Sequence, residues 1–279
     1  MNALVSPQWV ASRLGSPDLV IVDATMPPVG VAPKVDTHAI YLQKHLPGAV
    51  FFDIDELSDH SSGLPHTLLS AEAFGAAMGA RGITETATIV VYEQGDVFSA
   101  PRARWTFRTM GAKEVYLLDG GLKAWEAAGL PVESGAVTRE PAEFHAVLDA
   151  AAVKDYDKLR ATLAAGEQVL DARSAGRFSG ADPEPRAGLS SGHMPGATST
   201  PFPQLANGAA MKSPEELRSV FQAKGVDLQK PITTSCGSGV TAAVVALGLE
   251  LAGAPLVTLY DGSWAEYASR SESVIVKDV

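Results

Sequence analysis

Five landmarks recur in the same order along the chain. Asp23, closing the run Leu19-Val20-Ile21-Val22, matches Asp171 after Val169-Leu170 at an offset of 148 residues. His45-Leu46-Pro47-Gly48-Ala49 matches His193-Met194-Pro195-Gly196-Ala197 at that same offset. Ser70-Ala71-Glu72 and Ile89-Val90-Val91-Tyr92 match Ser213-Pro214-Glu215 and Ile232-Thr233-Thr234-Ser235 at 143, and Asp119-Gly120-Gly121 matches Asp261-Gly262-Ser263 at 142. An offset that drifts by a few residues inside loops is the mark of a duplicated unit, and a duplicated unit must bury its own core twice. Each half is then a domain of about 130 residues, within the usual size range. The boundary falls in the Pro- and Gly-containing stretch from Leu130 to Pro141. This reading gives a first domain over residues 1–134, an exposed linker over 135–148 and a second domain over 149–279.

Within a half, β-rich runs alternate with helical patterns: strand 19–22, helix 70–80, strand 88–92, helix 99–110, strand 114–118, helix 121–128. Such alternation predicts an α/β fold, a mainly parallel sheet flanked by helices. Ser213-Pro214-Glu215-Glu216 is a helix start, with a capping serine, proline in the first turn and glutamate three residues after the cap.

Composition narrows the chemistry. The 279 residues contain one cysteine, so neither an internal disulfide nor a multi-thiolate metal or iron–sulfur site can form. With 22 Lys+Arg against 32 Asp+Glu, a formal net charge of −10, and no basic run, the chain lacks the electrostatic footprint of a nucleic-acid or membrane-surface binder. No segment reaches the roughly 18 uninterrupted apolar residues of a membrane span, and no leader pattern stands at Met1–Leu14, so a cytoplasmic location is expected.

The lone cysteine lies in Ile232-Thr233-Thr234-Ser235-Cys236-Gly237-Ser238-Gly239-Val240-Thr241-Ala242, a β-branched strand running through a glycine loop into an apolar helix. Open α/β sheets place ligands at this end of their strands. Gly237 and Gly239 are expected to let successive amides turn inward as an anion-binding nest, reinforced by the positive end of a helix beginning near Thr241. The thiolate is the nucleophilic form of a cysteine, and such surroundings favour it. A free cysteine is also often an inert core residue, but packing does not require two glycines beside it. Among thiol chemistries, phosphatases need an arginine six positions after the cysteine to clamp a phosphoryl group, and Ala242 stands there. Sulfur transfer is the better fit.

The loop Cys236–Thr241 resembles the active-site loop of the rhodanese superfamily. Nearly the whole chain shares the likeness, through the tandem halves, the His-x-Pro-Gly-Ala segments, Phe98-Ser99-Ala100-Pro101-Arg102 and Asp261-Gly262-Ser263-Trp264. Within that superfamily it is similar to the 3-mercaptopyruvate sulfurtransferases, because thiosulfate sulfurtransferases usually carry Arg-Lys where Gly237-Ser238 stand. The resemblance implies a catalytic site in the C-terminal domain near the domain interface, with Glu93 replacing the cysteine in the N-terminal one. It implies Cys236 as nucleophile, with Ser238, His45 and Asp36 in support, and Arg177, Arg186 and the loop residues Gly237, Gly239, Val240 and Thr241 holding the donor. His193 occupies the same motif as His45, so a turn-anchoring role also fits that histidine. The implied reaction uses no metal or organic cofactor. Cys236 takes sulfur from 3-mercaptopyruvate, releases pyruvate, and passes the sulfur to cyanide, a small thiol or reduced thioredoxin. Thiosulfate as donor, and a persulfide-carrying relay module with little turnover, are the alternatives.

Overall fold

The computed structural model describes residues 3–27 and 35–279. The chain divides into two compact units, one comprising Met1–Ser58, Leu68–Asp149 and Gly208–Met211, the other Asp59–Thr67, Ala150–Asn207 and Lys212–Val279.

The first unit is built on strands β1 (Leu4–Val5), β2 (Leu19–Asp23), β3 (Val50–Phe51), β4 (Thr88–Tyr92) and β5 (Glu114–Leu118), in the order β1-β5-β4-β2-β3. All pairings are parallel. Every residue of β2 is buried, as is most of β4, which explains their continuous apolar runs: helices cover both faces of a parallel sheet. The helices are α1 (Pro7–Ala11), α2 (Thr37–Gln43), α3 (Ala71–Ala80), α4 (Ala100–Thr109) and α5 (Gly121–Ala127). One apolar core joins Val10, Ile21, Val90, Leu122 and Trp125.

Residues 135–148, expected to form an exposed linker, are mostly exposed and group with this unit. Gly75 and Gly79 of α3 make that possible, because a β-carbon on either would stand 2.6 Å from the carbonyl oxygen of Phe144 or Ala142. The amide of Ala142 donates to the Gly79 carbonyl at 2.9 Å, and Val147 and Asp149 donate to Met110 and Thr109 at 3.1 and 2.7 Å. The Phe144 ring is buried edge-on against Phe74. This connection is a strap held by several backbone hydrogen bonds and one aromatic anchor, Phe144.

The second unit repeats the plan. Its strands β6 (Val153–Lys154), β7 (Gln168–Asp171), β8 (Thr198–Ser199), β11 (Ile232–Ser235) and β12 (Val257–Tyr260) are ordered β6-β12-β11-β7-β8, again all parallel. Two dipeptide strands, β9 (Ala206–Asn207) and β10 (Ala210–Met211), lie outside both five-stranded sheets. The helices are α6 (Tyr156–Ala164), α7 (Ala175–Ser179), α8 (Pro214–Ala223), α9 (Ala242–Ala252) and α10 (Ser263–Tyr267), with a 3-10 turn at Phe202–Leu205. The expected start of α8 is present as a full capping box between Ser213 and Glu216. Segment 59–67 folds with this unit although the chain reaches it early, so the division is not the simple cut expected near residue 134. Among the described residues no helix is long and apolar enough to cross a membrane.

Candidate active site

β11 lies at the centre of its sheet, between β12 and β7, with all four residues buried. Cys236 follows at its C-terminal end, and α9 begins six residues later with Thr241 as its N-cap. The residue is almost fully covered, at 2% exposure, and the amide of Gly239 donates to Cys236 Sγ at 3.1 Å. Gly239 reaches this geometry with φ of 83°, where glycine is favoured. Val240 and Thr241 supply the first carbonyls of the helix, to Ala243 and Val244 at 3.2 and 3.1 Å.

Gly237 has a different task from the one expected. Its backbone is not left-handed, and what matters is the missing β-carbon. An atom there would stand 3.0 Å from Nη2 of Arg177 and 3.4 Å from Nη1 of Arg186. The fold therefore brings Cys236, Gly237, Arg177 and Arg186 together. Arg177 comes from α7, whose cap Ser174 accepts from the Arg177 amide, and its Nε and Nη2 donate to Glu184 at 3.1 and 2.5 Å. Arg173 is structural. Its guanidinium is clamped by Asp171, Glu184 and the Gly192 carbonyl and lies 3.9 Å over the Trp264 ring.

The loop is fixed from behind by the Asp-Gly-Ser-Trp turn. The amides of Trp264 and Ala265 donate to the carbonyls of Cys236 and Gly237 at 2.9 and 3.0 Å. The Ser263 hydroxyl donates to the Tyr260 carbonyl and accepts, at 3.4 Å, from the Cys236 amide. Ser263 holds φ of 50°, costly for a residue with a β-carbon and tolerated where its surroundings dictate it.

Ser238 is buried beside the cysteine, and its hydroxyl pairs with an imidazole at 2.8 Å, but that imidazole is His66. His45 and Asp36, expected to support Ser238, have other partners in the first unit. His45 is buried, its Nδ1 bonded to the Tyr41 carbonyl at 2.8 Å and its ring stacked on Tyr41, while its backbone bridges to Glu133. His193 repeats the arrangement on Phe178, with a bridge to Val276. A histidine doing the same job in both units anchors the Pro-Gly turn. Asp36 caps α2, accepting from the Ala39 amide at 2.9 Å. His66 escaped the sequence reading because it lies 172 residues from Ser238. One signal was available: unlike His45, it has no counterpart in the other half.

At the position equivalent to Cys236, Glu93 follows β4 and is buried. Its carboxylate accepts from the amides of Phe98 and Ser99 at 2.9 and 2.8 Å, from the Ser99 hydroxyl at 3.0 Å and from the Ala100 amide at 3.3 Å. Burial nevertheless outweighs these donors and pushes its pKa up to about 7. Among the described residues no group of three or more His, Cys, Asp or Glu side chains is arranged to hold a metal ion.

A duplicated five-stranded parallel unit, with a thiol at a strand end in one copy only, is the plan of a tandem thiol-bearing α/β protein. The chain matches the rhodanese-like domain twice, over residues 6–128 and 155–270, and belongs to that family. It is 45% identical to the 3-mercaptopyruvate sulfurtransferase of Rattus norvegicus over 281 residues, 97% of this chain and 93% of the relative. It is 41% identical to the thiosulfate sulfurtransferase of Bos taurus over 279 residues, again 97% and 93%. Its fold superposes on the crystal structure of SseA from Escherichia coli, described as a 3-mercaptopyruvate sulfotransferase of rhodanese fold. That match has a TM-score of 0.87 and 42% identity, covering 95% of this chain and 99% of that one.

Proposed function

We propose that this protein is a 3-mercaptopyruvate sulfurtransferase working through a Cys236 persulfide. The observation that carries the reading is the pair of guanidiniums, from Arg177 and Arg186, packed against the bare Cα of Gly237 next to the thiol. An α-keto acid presents a planar anion suited to a guanidinium fork, and its sulfur then lies within reach of the cysteine.

In the first half-reaction the Cys236 thiolate attacks the donor sulfur. An S–S bond forms, the C–S bond breaks, and its electron pair leaves with the three-carbon fragment as the enolate of pyruvate, which takes a proton at carbon. Arg177 holds the donor carboxylate, and Arg186, at the ketone, offsets charge developing on the enolate oxygen. The Gly239 amide and Ser238, steadied by His66, offset charge on sulfur. In the second half-reaction cyanide, a small thiol or reduced thioredoxin attacks the outer sulfur and returns Cys236 as thiolate. A lone thiol that must stay reduced between turnovers suits the cytoplasm.

Gly237 also favours this donor over thiosulfate. Any side chain at 237 would press on Arg177, so the site keeps its arginines in place of a basic residue in the loop. The test is incubation with 3-mercaptopyruvate, measuring pyruvate and intact mass. Catalytic pyruvate with an acceptor present, and one added sulfur that Cys236→Ser lacks, are expected. A single equivalent of pyruvate would mark a relay module. An Arg177→Ala variant that loses kcat/KM toward thiosulfate alone would contradict the donor assignment.

A further inference from the structure

The side chain of Glu184 is 1% exposed, and each of its oxygens serves a different guanidinium. Oε1 accepts from Nη1 of Arg173 at 2.6 Å, while Oε2 accepts from Nε and Nη2 of Arg177. Arg173 is a rigid anchor, fully buried, bonded to both oxygens of Asp171 and to the Gly192 carbonyl, and stacked on Trp264. Burial alone would loosen its proton, yet Asp171 and Glu184 outweigh burial and raise its pKa. The chain Asp171–Arg173–Glu184–Arg177 thus alternates in sign from the C-terminal end of β7 to the rim of the thiol loop. It ends on a side chain with 22% exposure, the least confined member of the series.

A guanidinium offers two bidentate edges, Nε with one Nη and the two Nη together. Glu184 occupies the Nε/Nη2 edge of Arg177. We propose that Glu184 is a positioning residue for donor binding: by taking that edge it orders Arg177 beside Gly237 and leaves the Nη1/Nη2 edge to receive the carboxylate of the α-keto acid. The inference rests on the reading of Arg177 as an anchor of the donor. Its physical content is preorganisation. A free arginine loses much rotamer freedom when it binds an anion, whereas one already tied at its inner edge loses little.

The experiment is steady-state kinetics with 3-mercaptopyruvate and cyanide on the full chain, comparing wild type, E184Q, R177A and E184Q/R177A. E184Q is expected to raise KM by about tenfold with kcat held within about threefold, the pattern of lost ground-state binding. In the R177A background the same change is expected to shift KM by less than about twofold, because the residue it positions is gone. Alkylation of Cys236 by neutral iodoacetamide, which does not use Arg177, is expected to proceed at the wild-type rate in E184Q. An unchanged KM in E184Q, or effects of E184Q and R177A that multiply independently, would overturn the proposal. If E184Q does not fold because Arg173 loses a buried counter-charge, E184D keeps the charge while shortening the reach. The same non-additivity with R177A is then the criterion. A wild type that forms no pyruvate would overturn the donor reading itself, a result distinct from an active enzyme whose KM ignores Glu184.

Discussion

After β4 the chain places Glu93, and after β11, at the same point of an equivalent sheet, it places Cys236. Both residues are buried, both are followed by a short loop and a helix, and both have their own carbonyl held by an amide of the following Asp-Gly turn. Leu122 donates to Glu93 at 3.1 Å and Trp264 to Cys236 at 2.9 Å. The difference lies in what fills the mouth of the helix. In the first unit a carboxyl group long enough to reach the helix start takes three amides and a hydroxyl, so the cradle is closed by the chain's own side chain. In the second the shorter side chain carries a sulfur bonded by one amide, and arginines stand at the loop. The two copies therefore differ in one residue's job: Glu93 fills its own helix mouth, while Cys236 leaves its loop facing two arginines.

Breaking the comparison outright is the largest expected effect. Cys236→Ser removes the nucleophile and is expected to lower pyruvate formation by more than ~10³-fold. Glu93→Gln, at the equivalent position, leaves kcat/KM within a factor of about three. Pyruvate release assayed for both variants checks this, and a large catalytic loss in Glu93→Gln would show that the first cradle takes part in turnover.

The carboxylate plug has a pH signature of its own. Its pKa is raised on folding from the ordinary 4.5 to about 7, so the folded state binds the proton more tightly than the unfolded chain. The stability it contributes is complete below about pH 4.5 and is lost as pH rises through 7. The full span corresponds to roughly 3 kcal/mol as an upper figure. Urea unfolding of wild type and Glu93→Gln from pH 4.5 to 8 reads the effect. The wild type is expected to lose ground relative to the variant as pH rises, and parallel curves would refute it.

The two histidines sharpen the contrast between fold and site. His66→Asn is expected to slow persulfide formation by ~10²-fold through its partner Ser238. His45→Ala, which removes a buried ring stacked on Tyr41, is expected to cost ~2 kcal/mol or more of stability while the folded fraction keeps its rate. Single-turnover kinetics beside thermal melts separates the two.

Those histidines also mark how far the sequence could be read. Local patterns report the strands β2, β4 and β5, the helices α3, α4 and α5 and the cysteine at the end of β11, because periodicity and glycine spacing are properties of neighbouring residues. The dipeptide strands β1, β3, β6 and β8 are too short to carry a period, and they exist because a longer strand lies beside them. His66 and Glu184 were not legible for the same reason. Their roles arise when residues far apart in the chain, or on opposite sides of a loop, are brought together by burial. The packing of the strap within 135–148 is not local information, because its anchors, Gly75 and Gly79, lie on another element.

The smallest expected effect separates loop glycines that look alike in sequence. Gly95, two residues past Glu93, has nothing within 4 Å of where a β-carbon would stand, so Gly95→Ala is expected to be silent in activity and within about 0.5 kcal/mol in stability. Gly237, one residue past Cys236, has a backbone that accepts alanine, and the obstacle is the 3.0 Å approach to Nη2 of Arg177. Relief requires the guanidinium to give by a few tenths of an ångström, and Arg177 is tied at Nε and Nη2 to a buried carboxylate that is itself tied to Arg173. The strain therefore falls on donor binding and not on folding. Gly237→Ala should raise KM for 3-mercaptopyruvate by a few-fold to about tenfold with an unchanged melting temperature. Combined with Glu184→Asp, which loosens the tie, the added methyl should cost less than it does alone. Equal cost in both backgrounds would show that the arginine is not held as the geometry indicates.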